Sequence, residues 1–534
     1  MTQQRFSLHM ILAAAFLWIP LRADAKEQTT GLAIQNGWYM HNDKVIWGYA
    51  QHNGWWRAGQ RANITRNAPG EIRPNRTENL TKLTDAMLNY GYPGFEHNFG
   101  LWYDRRRDRH DTGRRTTDTV VPPFLEQPWA RSGKGTAWDG LSKYDLTKYN
   151  NWYFDRLKAF ADLCDRKGTI LFHNFYMQHA LLEQQTHYVD FPWRPVNCQQ
   201  QTDMPDRMPA ASAFYDVSHP LRRTLHQAYI RKCLDVLGEN TNVVFLCSEE
   251  YTGPLSFMQF WLDTLCQWQQ EKGRKLHIGV SATKDVQDAI LADPVRAFAV
   301  NTIDLRYWWY RPDGTLFAPQ GGRQIPARFT GGFNPQWLAN VRAQTHHYTD
   351  RGMGRLDTTS TQQVYRQIRA YRDRYPRKAI LHQLPASLPQ AWAMLMAGGS
   401  MCMGQMSYPD KQDPPTYISP EPCQAFQPTY DFIREHLATV LPRMSPNDKA
   451  GTSDKPLWCL ADADHNFLIY TVKGGSFQLD LSSCTGRFSV TWFNPPSGDN
   501  IKESDRQIEA DDTVMFRAPD ERDWVLWLSR KDKG

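Results

Sequence analysis

The sequence of 534 residues predicts an α/β fold, a (β/α)8 TIM barrel followed by a small antiparallel β-sandwich, and three observations carry that expectation. Eight short apolar runs alternate with helical patterns between residues 44 and 405. Nearly every run stops at a cluster of polar and aromatic side chains, as strands do at the C-terminal mouth of a barrel. Beyond residue 456 the period of the pattern becomes two, and Gly, Ser and Pro separate the runs, which is how antiparallel strands read.

Taken in order, residues 1–25 read as a cleavable secretory signal. They hold one early charge at Arg5, an apolar run from Met10 to Leu21 and the small-x-small triplet Ala23-Asp24-Ala25. The mature protein is therefore expected in a periplasm or outside the cell, with the barrel over residues 26–445 and the sandwich over 446–534. No later stretch reaches the ~20 apolar residues of a membrane span. A formal charge of +6 singles out no partner: nucleic acid is not expected, and an anionic glycan is compatible. The 20 tryptophans tilt the expectation toward a sugar-binding cleft, although most must be core in a chain of this length. The nine cysteines show no Cys-x-x-Cys spacing, which argues against zinc and redox pairs, and their odd number leaves at least one free thiol. A Cys459–Cys484 bridge within the β-rich stretch is left open.

The first barrel strand is expected over 44–50, with Trp56 in the polar stretch that follows it. A helix-like segment, 79–88, leads to residues 90–103, poor as a strand but dense in ligand-type side chains: Glu96, His97, Asn98, Trp102 and Tyr103. An amphipathic stretch, 146–167, precedes a strand over 169–176 that ends in His173, Asn174 and Tyr176. A helix over 220–237 precedes the most informative run, 243–247, which breaks into Ser248-Glu249-Glu250-Tyr251 before Gly253-Pro254 turns the chain. Later strands are expected at 276–280, at 297–301 running on to Asp304, Arg306, Trp308, Trp309 and Tyr310, at 379–383 and at 400–405.

Cleavage of a glycosidic bond needs two carboxyl groups facing across it, one of them protonated near neutral pH. Glu249, delivered by a strand to a barrel mouth, is the candidate acid. Neighbouring strand residues point to opposite sides, so Glu250 is assigned an ion-pairing or supporting role. Asp304 is the favoured second carboxylate, because the cationic and aromatic residues after it would make a sugar-binding loop, and Glu96 is the reserve. The expected substrate contacts are Trp56, His97, Asn98, Trp102, His173, Asn174, Tyr176, Glu250, Arg306, Trp308, Trp309 and Gln383. Neither His-x-His nor His-Glu-x-x-His occurs, so no metal or other cofactor is expected, and no Gly-x-Ser-x-Gly elbow marks a serine hydrolase.

The Ser248-Glu249 pair closing strand four resembles the large superfamily of retaining barrel glycosidases, whose acid/base lies on strand four and nucleophile on strand seven. The segments 391–400, 492–498 and 303–319 are similar to secreted bacterial barrel proteins with a C-terminal collagen-binding-type sandwich, the apiosidase-like glycosidases of plant-cell-wall breakdown among them. That resemblance implies a secreted glycoside hydrolase acting on a plant or algal polysaccharide or its oligosaccharides, acidic ones included, with Glu249 as acid/base. The nucleophile does not carry over: strand seven reads Leu381-His382-Gln383, and no Asp or Glu occurs over 378–408. A displaced partner would leave room for a water and so favour inversion. Two other classes remain open: a lyase on uronate chains, with His97, His173 or Tyr176 as base and Arg306 neutralising the carboxylate, and a non-catalytic glycan-binding barrel.

Overall fold

The computed structural model describes residues 31–52, 80–98, 127–178, 181, 188–189, 191–207, 210–249, 251–322, 359–383, 387–404, 420–463, 466–484, 486–508 and 513–531. The expected leader, residues 1–25, and Trp56, Trp102 and Glu250 lie outside these residues.

Eight parallel strands close into a barrel. They are β1 (Tyr49–His52), β2 (Gly94–Asn98), β3 (Ile170–Met177), β4 (Val243–Glu249), β5 (His277–Ser281), β6 (Thr302–Leu305), β7 (Ala379–Gln383) and β8 (Met401–Gly404), and β8 pairs with β1 to shut the ring. Between them run α1 (Leu80–Asn89), α2 (Asn151–Lys167), α3 (Pro220–Leu237), α4 (Leu255–Lys272), α5 (Lys284–Ala292), α6 (Thr361–Arg374) and α7 (Leu388–Met396), and α8 (Pro420–Phe432) follows β8. Alternation decides what each strand residue does. Ile170, Phe172, Val244, Leu246, Ala379, Leu381 and Met401 fill the lower lumen as one buried cluster, while Phe95, Leu171, Phe175, Phe245 and Cys247 pack outward in the main core.

Three expected boundaries shift, each for a local reason. The segment 44–50 is not one strand: Lys44–Val45 closes an antiparallel meander with Leu32–Gln35 and Trp38–His41, and the barrel strand starts at Tyr49. Two-residue turns make the meander, Asn36-Gly37 with φ of 49° and 80° and Asn42-Asp43 with 51° and 60°. Paired positive φ values match the twist of a tight hairpin. The meander plugs the barrel floor, where the Tyr39 hydroxyl lies 2.8 Å from Thr302 Oγ1 on β6. In the sixth unit, Pro294–Ala299 is a short helix capped by Asp293, so Asp304 sits inside β6 rather than after it. In the 146–167 stretch, Tyr144–Tyr149 pairs with Trp129–Arg131 as a hairpin, and α2 begins only where the Asn150 side chain accepts from the Tyr153 N–H.

The C-terminal strands form two antiparallel sheets. Strands Leu457–Ala461, Phe467–Thr471, Trp524–Arg530 and Gly486–Phe493 lie side by side in the larger sheet, and Ser476–Asp480 pairs with Thr513–Arg517 in the smaller. Phe467 and Ile469 face the sandwich core, whereas Leu468 and Tyr470 join the barrel's core, so this strand is buried on both faces. An aromatic ladder docks the sandwich on the barrel. Tyr365 of α6 stacks on Trp458 at 4.7 Å, Trp458 on Tyr470 at 5.8 Å, and Tyr470 on Trp392 of α7 at 5.7 Å. Cys459 and Cys484 share the sandwich core as free thiols, so no bridge joins them. Among the described residues, no helix is long and apolar enough to cross a membrane.

Candidate functional site

Above the apolar floor the lumen becomes charged. Arg306, just past β6, spans the barrel: its guanidinium lies 2.8 Å from Glu96 on the opposite strand β2 and 3.0 Å from Asp304 two residues behind it. All three side chains are at most 1% exposed. Asn174 of β3 donates to Glu96 at 2.9 Å, and the Ser281 hydroxyl of β5 lies beside Asp304. Burial raises the Asp304 pKa, with Arg306 pulling it back and Glu96 pushing it further up. Burial alone would lower the Arg306 pKa, but Asp304 and Glu96 outweigh it and hold the guanidinium firmly charged. Two acids thus share one buried cation.

Glu249 ends β4, its backbone in register with Met177 at the end of β3. Leu246 pairs with Gly279 and Ser281 with Asp304, so continuing the β4–β5 register sets Ser248, Ser281 and Asp304 level. Two interstrand spacings of ~4.8 Å and one residue of ~3.3 Å then separate the Glu249 and Asp304 Cα atoms by about 10 Å along the wall. Glu96 is level with Phe172 and so with Val244, five residues below Glu249 on β4. Followed the other way round the ring, through β7, β8 and β1, the register brings Asp304 level with Tyr92, below Glu96 on β2, so the stagger of the closed barrel sets the two acids in one layer, beneath the level of Glu249.

Several expected ligand residues sit elsewhere, and for His97, His173 and His382 alternation is the reason. Because Glu96 points into the lumen, His97 points out of the wall, where its Nε2 is 3.0 Å from the Tyr153 hydroxyl of α2. His173 is likewise outside and stacks on His97 at 5.8 Å. Burial, and then His173, holds the His97 pKa well below its usual value; burial alone pushes His173 down to about 3. Tyr176 is 2.8 Å from His226 Nδ1 of α3, packed among Phe214, Tyr229 and Phe257. The three bases of the lyase alternative are thus wall residues. Trp308 is no sugar platform either: its indole N–H donates to Gln287 of α5 at 3.1 Å and its ring lies 5.3 Å from Tyr371 of α6. Trp309 is buried against Phe317 within a short hairpin. His382 turns outward to Gln367 of α6, 3.1 Å away. Asn98 and Gln383 are described by backbone position, at the ends of β2 and β7.

Gln178 and Thr252 carry no motif but fix the loop after Glu249. Gln178 donates to the Thr252 hydroxyl and accepts from the Thr252 N–H, both at 3.0 Å, and Thr252 O accepts from the Gly322 N–H at 2.8 Å. Their one sequence signal is position, Gln178 directly after the end of β3 and Thr252 in the turn that follows β4. Among the described residues no three His, Cys, Asp or Glu side chains converge to hold a metal ion.

A closed parallel barrel with a polar upper lumen and a docked antiparallel sandwich defines the class of fold. Among solved structures it is similar to a glycoside hydrolase family 5 protein from Bacteroides vulgatus, with 11% identity, 94% of each chain covered and a TM-score of 0.53. A second structure, described as a glycoside hydrolase, matches at 10% identity over 94% of this chain and 98% of its own, with a TM-score of 0.51. These likenesses establish a glycosidase-type fold. The chain itself belongs to the family DUF6298, described as a domain of unknown function, whose model matches residues 17–412. Residues 447–529 match the model described as "Putative collagen-binding domain of a collagenase". No functionally curated protein matches the sequence.

Proposed function

We propose that the protein is a secreted glycoside hydrolase of cell-wall oligo- or polysaccharides, plant or algal, acidic units included. Glu249 donates the proton to the leaving oxygen, and Asp304 is the second carboxyl group. The observation that supports this most is the register, which puts the two positions on β4 and β6 of one barrel wall with about 10 Å between their Cα atoms, near enough for two side chains to reach one bond. A raised carboxyl pKa, the direction found for Asp304, makes it a stronger proton acceptor, the property a base that activates water needs. Arg306 and Ser281 would hold that carboxyl in place. The leader pattern of residues 1–25, with its apolar run and the Ala23-Asp24-Ala25 triplet, is what supports export.

Two observations favour a second reading, a glycan-binding barrel without turnover: β7 ends in Gln383 where the glycosidase resemblance asks for a carboxylate, and Asp304 is wholly buried. Incubating the protein, Glu249→Gln and Asp304→Asn with a panel of plant and algal polysaccharides, followed by product analysis, separates the two. Turnover by the wild type that Glu249→Gln cuts by ~10² to 10⁴ supports the hydrolase. Binding with no product from any substrate supports the second reading, and an unsaturated, ultraviolet-absorbing product would overturn both.

A further inference from the structure

A cavity of about 520 Å³ lies beside the C-terminal end of β4, between the loop leading into α3 and the Thr252-Gly253-Pro254 turn that follows Glu249. Its volume suits one or two sugar rings rather than a single ion or water. The walls are set before any ligand arrives. The Tyr251 hydroxyl donates to Pro254 O at 2.6 Å, the Gln178–Thr252 pair clamps the turn, and Asp216 accepts from Ser218 at 2.6 Å and from Arg222 at 2.9 Å. A preformed cavity spares the ordering cost that a flexible one would pay on binding.

Its polar groups are of three kinds. Asp216 is ionised, its pKa lowered first by the Ser218 hydroxyl, so it can accept from sugar hydroxyls. Tyr215, a residue 1% exposed, lines the cavity, with its hydroxyl beside Ser248. Arg223, on the exposed first turns of α3, has no carboxylate partner among the described residues and touches only the Phe260 ring, 4.8 Å from its centroid. The cavity also takes in Pro254 and Ser256 at the start of α4, whose N-terminus has no side-chain cap. A neighbouring uncommitted guanidinium and open helix N–H groups both favour a planar or tetrahedral oxyanion.

We infer that this cavity is a binding subsite for an anionic sugar, a uronate or a sulfated residue, whose acid group meets Arg223 and whose hydroxyls meet Asp216 and Tyr215. The inference deepens the carbohydrate reading above but depends on binding, not on turnover.

The test is calorimetric titration of the full chain with trigalacturonate, a sulfated galactan tetrasaccharide and neutral galactotetraose, using the wild type, Arg223→Ala and Tyr215→Phe, with Arg274→Ala, an exposed arginine just past the far end of α4, as a charge-removing variant outside the cavity. One of the two anionic probes is expected to bind the wild type and Arg274→Ala alike, and to bind Arg223→Ala about 10- to 100-fold more weakly, the scale of a lost charge-assisted contact. The tighter anionic probe identifies the acid group. Added salt should weaken its binding, because Arg223 is exposed. Arg223→Ala alters only a surface side chain, so circular dichroism should match the wild type, and Tyr215→Phe provides a second variant should it not. Equal affinity for anionic and neutral probes, or an affinity indifferent to Arg223, overturns the subsite. Arg223-dependent binding without any product leaves the subsite standing while the hydrolase fails, and turnover indifferent to Arg223 does the reverse.

Discussion

Replacing Arg306 with methionine tests the buried triad most directly. The substitution keeps an unbranched apolar chain of similar reach and removes the cation that sits 2.8 Å from Glu96 and 3.0 Å from Asp304, in a lumen where all three side chains are at most 1% exposed. Breaking a buried pair by removing one partner costs about 3–5 kcal/mol, because the charge left behind is neither solvated nor paired. At roughly 2 °C per kcal/mol for a large domain, the melting midpoint should fall by about 6–10 °C. The deficit should also depend on pH. Burial already raises the Asp304 pKa, and losing Arg306 removes the main influence that lowers it. A carboxyl with a raised folded-state pKa stabilises fully below its unfolded value, near pH ~4, and loses that contribution as pH rises through the folded value. The variant should therefore be closest to the wild type near pH 4 and furthest from it near pH 8. In a Glu96→Gln, Asp304→Asn background the sign should reverse, since Arg306 is then a lone buried cation and methionine relieves it. Thermal melts followed by tryptophan fluorescence between pH 4 and 8 read all of this. An equal cost in both backgrounds, flat with pH, would show that the three residues are not coupled.

Other substitutions probe separate parts of the molecule. Trp458→Ala removes the middle of the docking ladder, and should cost about 3–5 kcal/mol by calorimetry; a cost under ~1 kcal/mol would mean that the sandwich does not rest on that stack. Gly37→Ala should be more damaging than Gly133→Ala in melting experiments. The two glycines have φ of 80° and 75°, yet a Cβ at Gly37 would overlap the Arg372 guanidinium and lie 2.9 Å from Lys378 O, whereas at Gly133 nothing lies within 4 Å. Tyr176→Phe strips the partner from His226 Nδ1 and should cost about 1–3 kcal/mol while leaving any turnover, assayed below the melt, within about threefold; a loss beyond a hundredfold would restore Tyr176 as a reacting group.

The architecture was readable because it depends on short-range patterns. The apolar run at 243–247 became β4, the 220–237 pattern became α3 residue for residue, and the period-two stretches became sandwich strands. Boundaries moved where one residue pair decides them: Asn36-Gly37 and Asn42-Asp43 divert Lys44 and Val45 into a meander, a hairpin signal that lay in the sequence. The candidate site was less legible. Glu96 and Asp304 converge only because β2 and β6 are diametrically opposed, a relation that no local window contains. His97 and His173 looked like ligands because their residue type suggests it, but the alternation that puts Glu96 and Asn174 inside puts them outside. Trp308 was misread for a similar reason: a helix pair that it fills, Gln287 on α5 and Tyr371 on α6, cannot be seen from the strand end.

The floor plug has a consequence for how the chain is made. Leu32 N–H donates to Asn242, the Tyr39 hydroxyl meets Thr302, Tyr39 N–H donates to Ser400 and Asn36 to Pro442 O, across sequence separations of 210, 263, 361 and 406 residues. Loop-closure entropy delays such contacts until most of the chain exists, and topologies dominated by them fold slowly. During synthesis the segment from Leu32 to Val45, with the fully buried Trp38 and Tyr39, has nowhere to dock until β8 has emerged. Its two tight turns can close at once, on the microsecond scale of a hairpin. The earliest part of the fold to acquire local order is thus among the last to be covered, and its exposed aromatic face is the surface that a holding chaperone would find first.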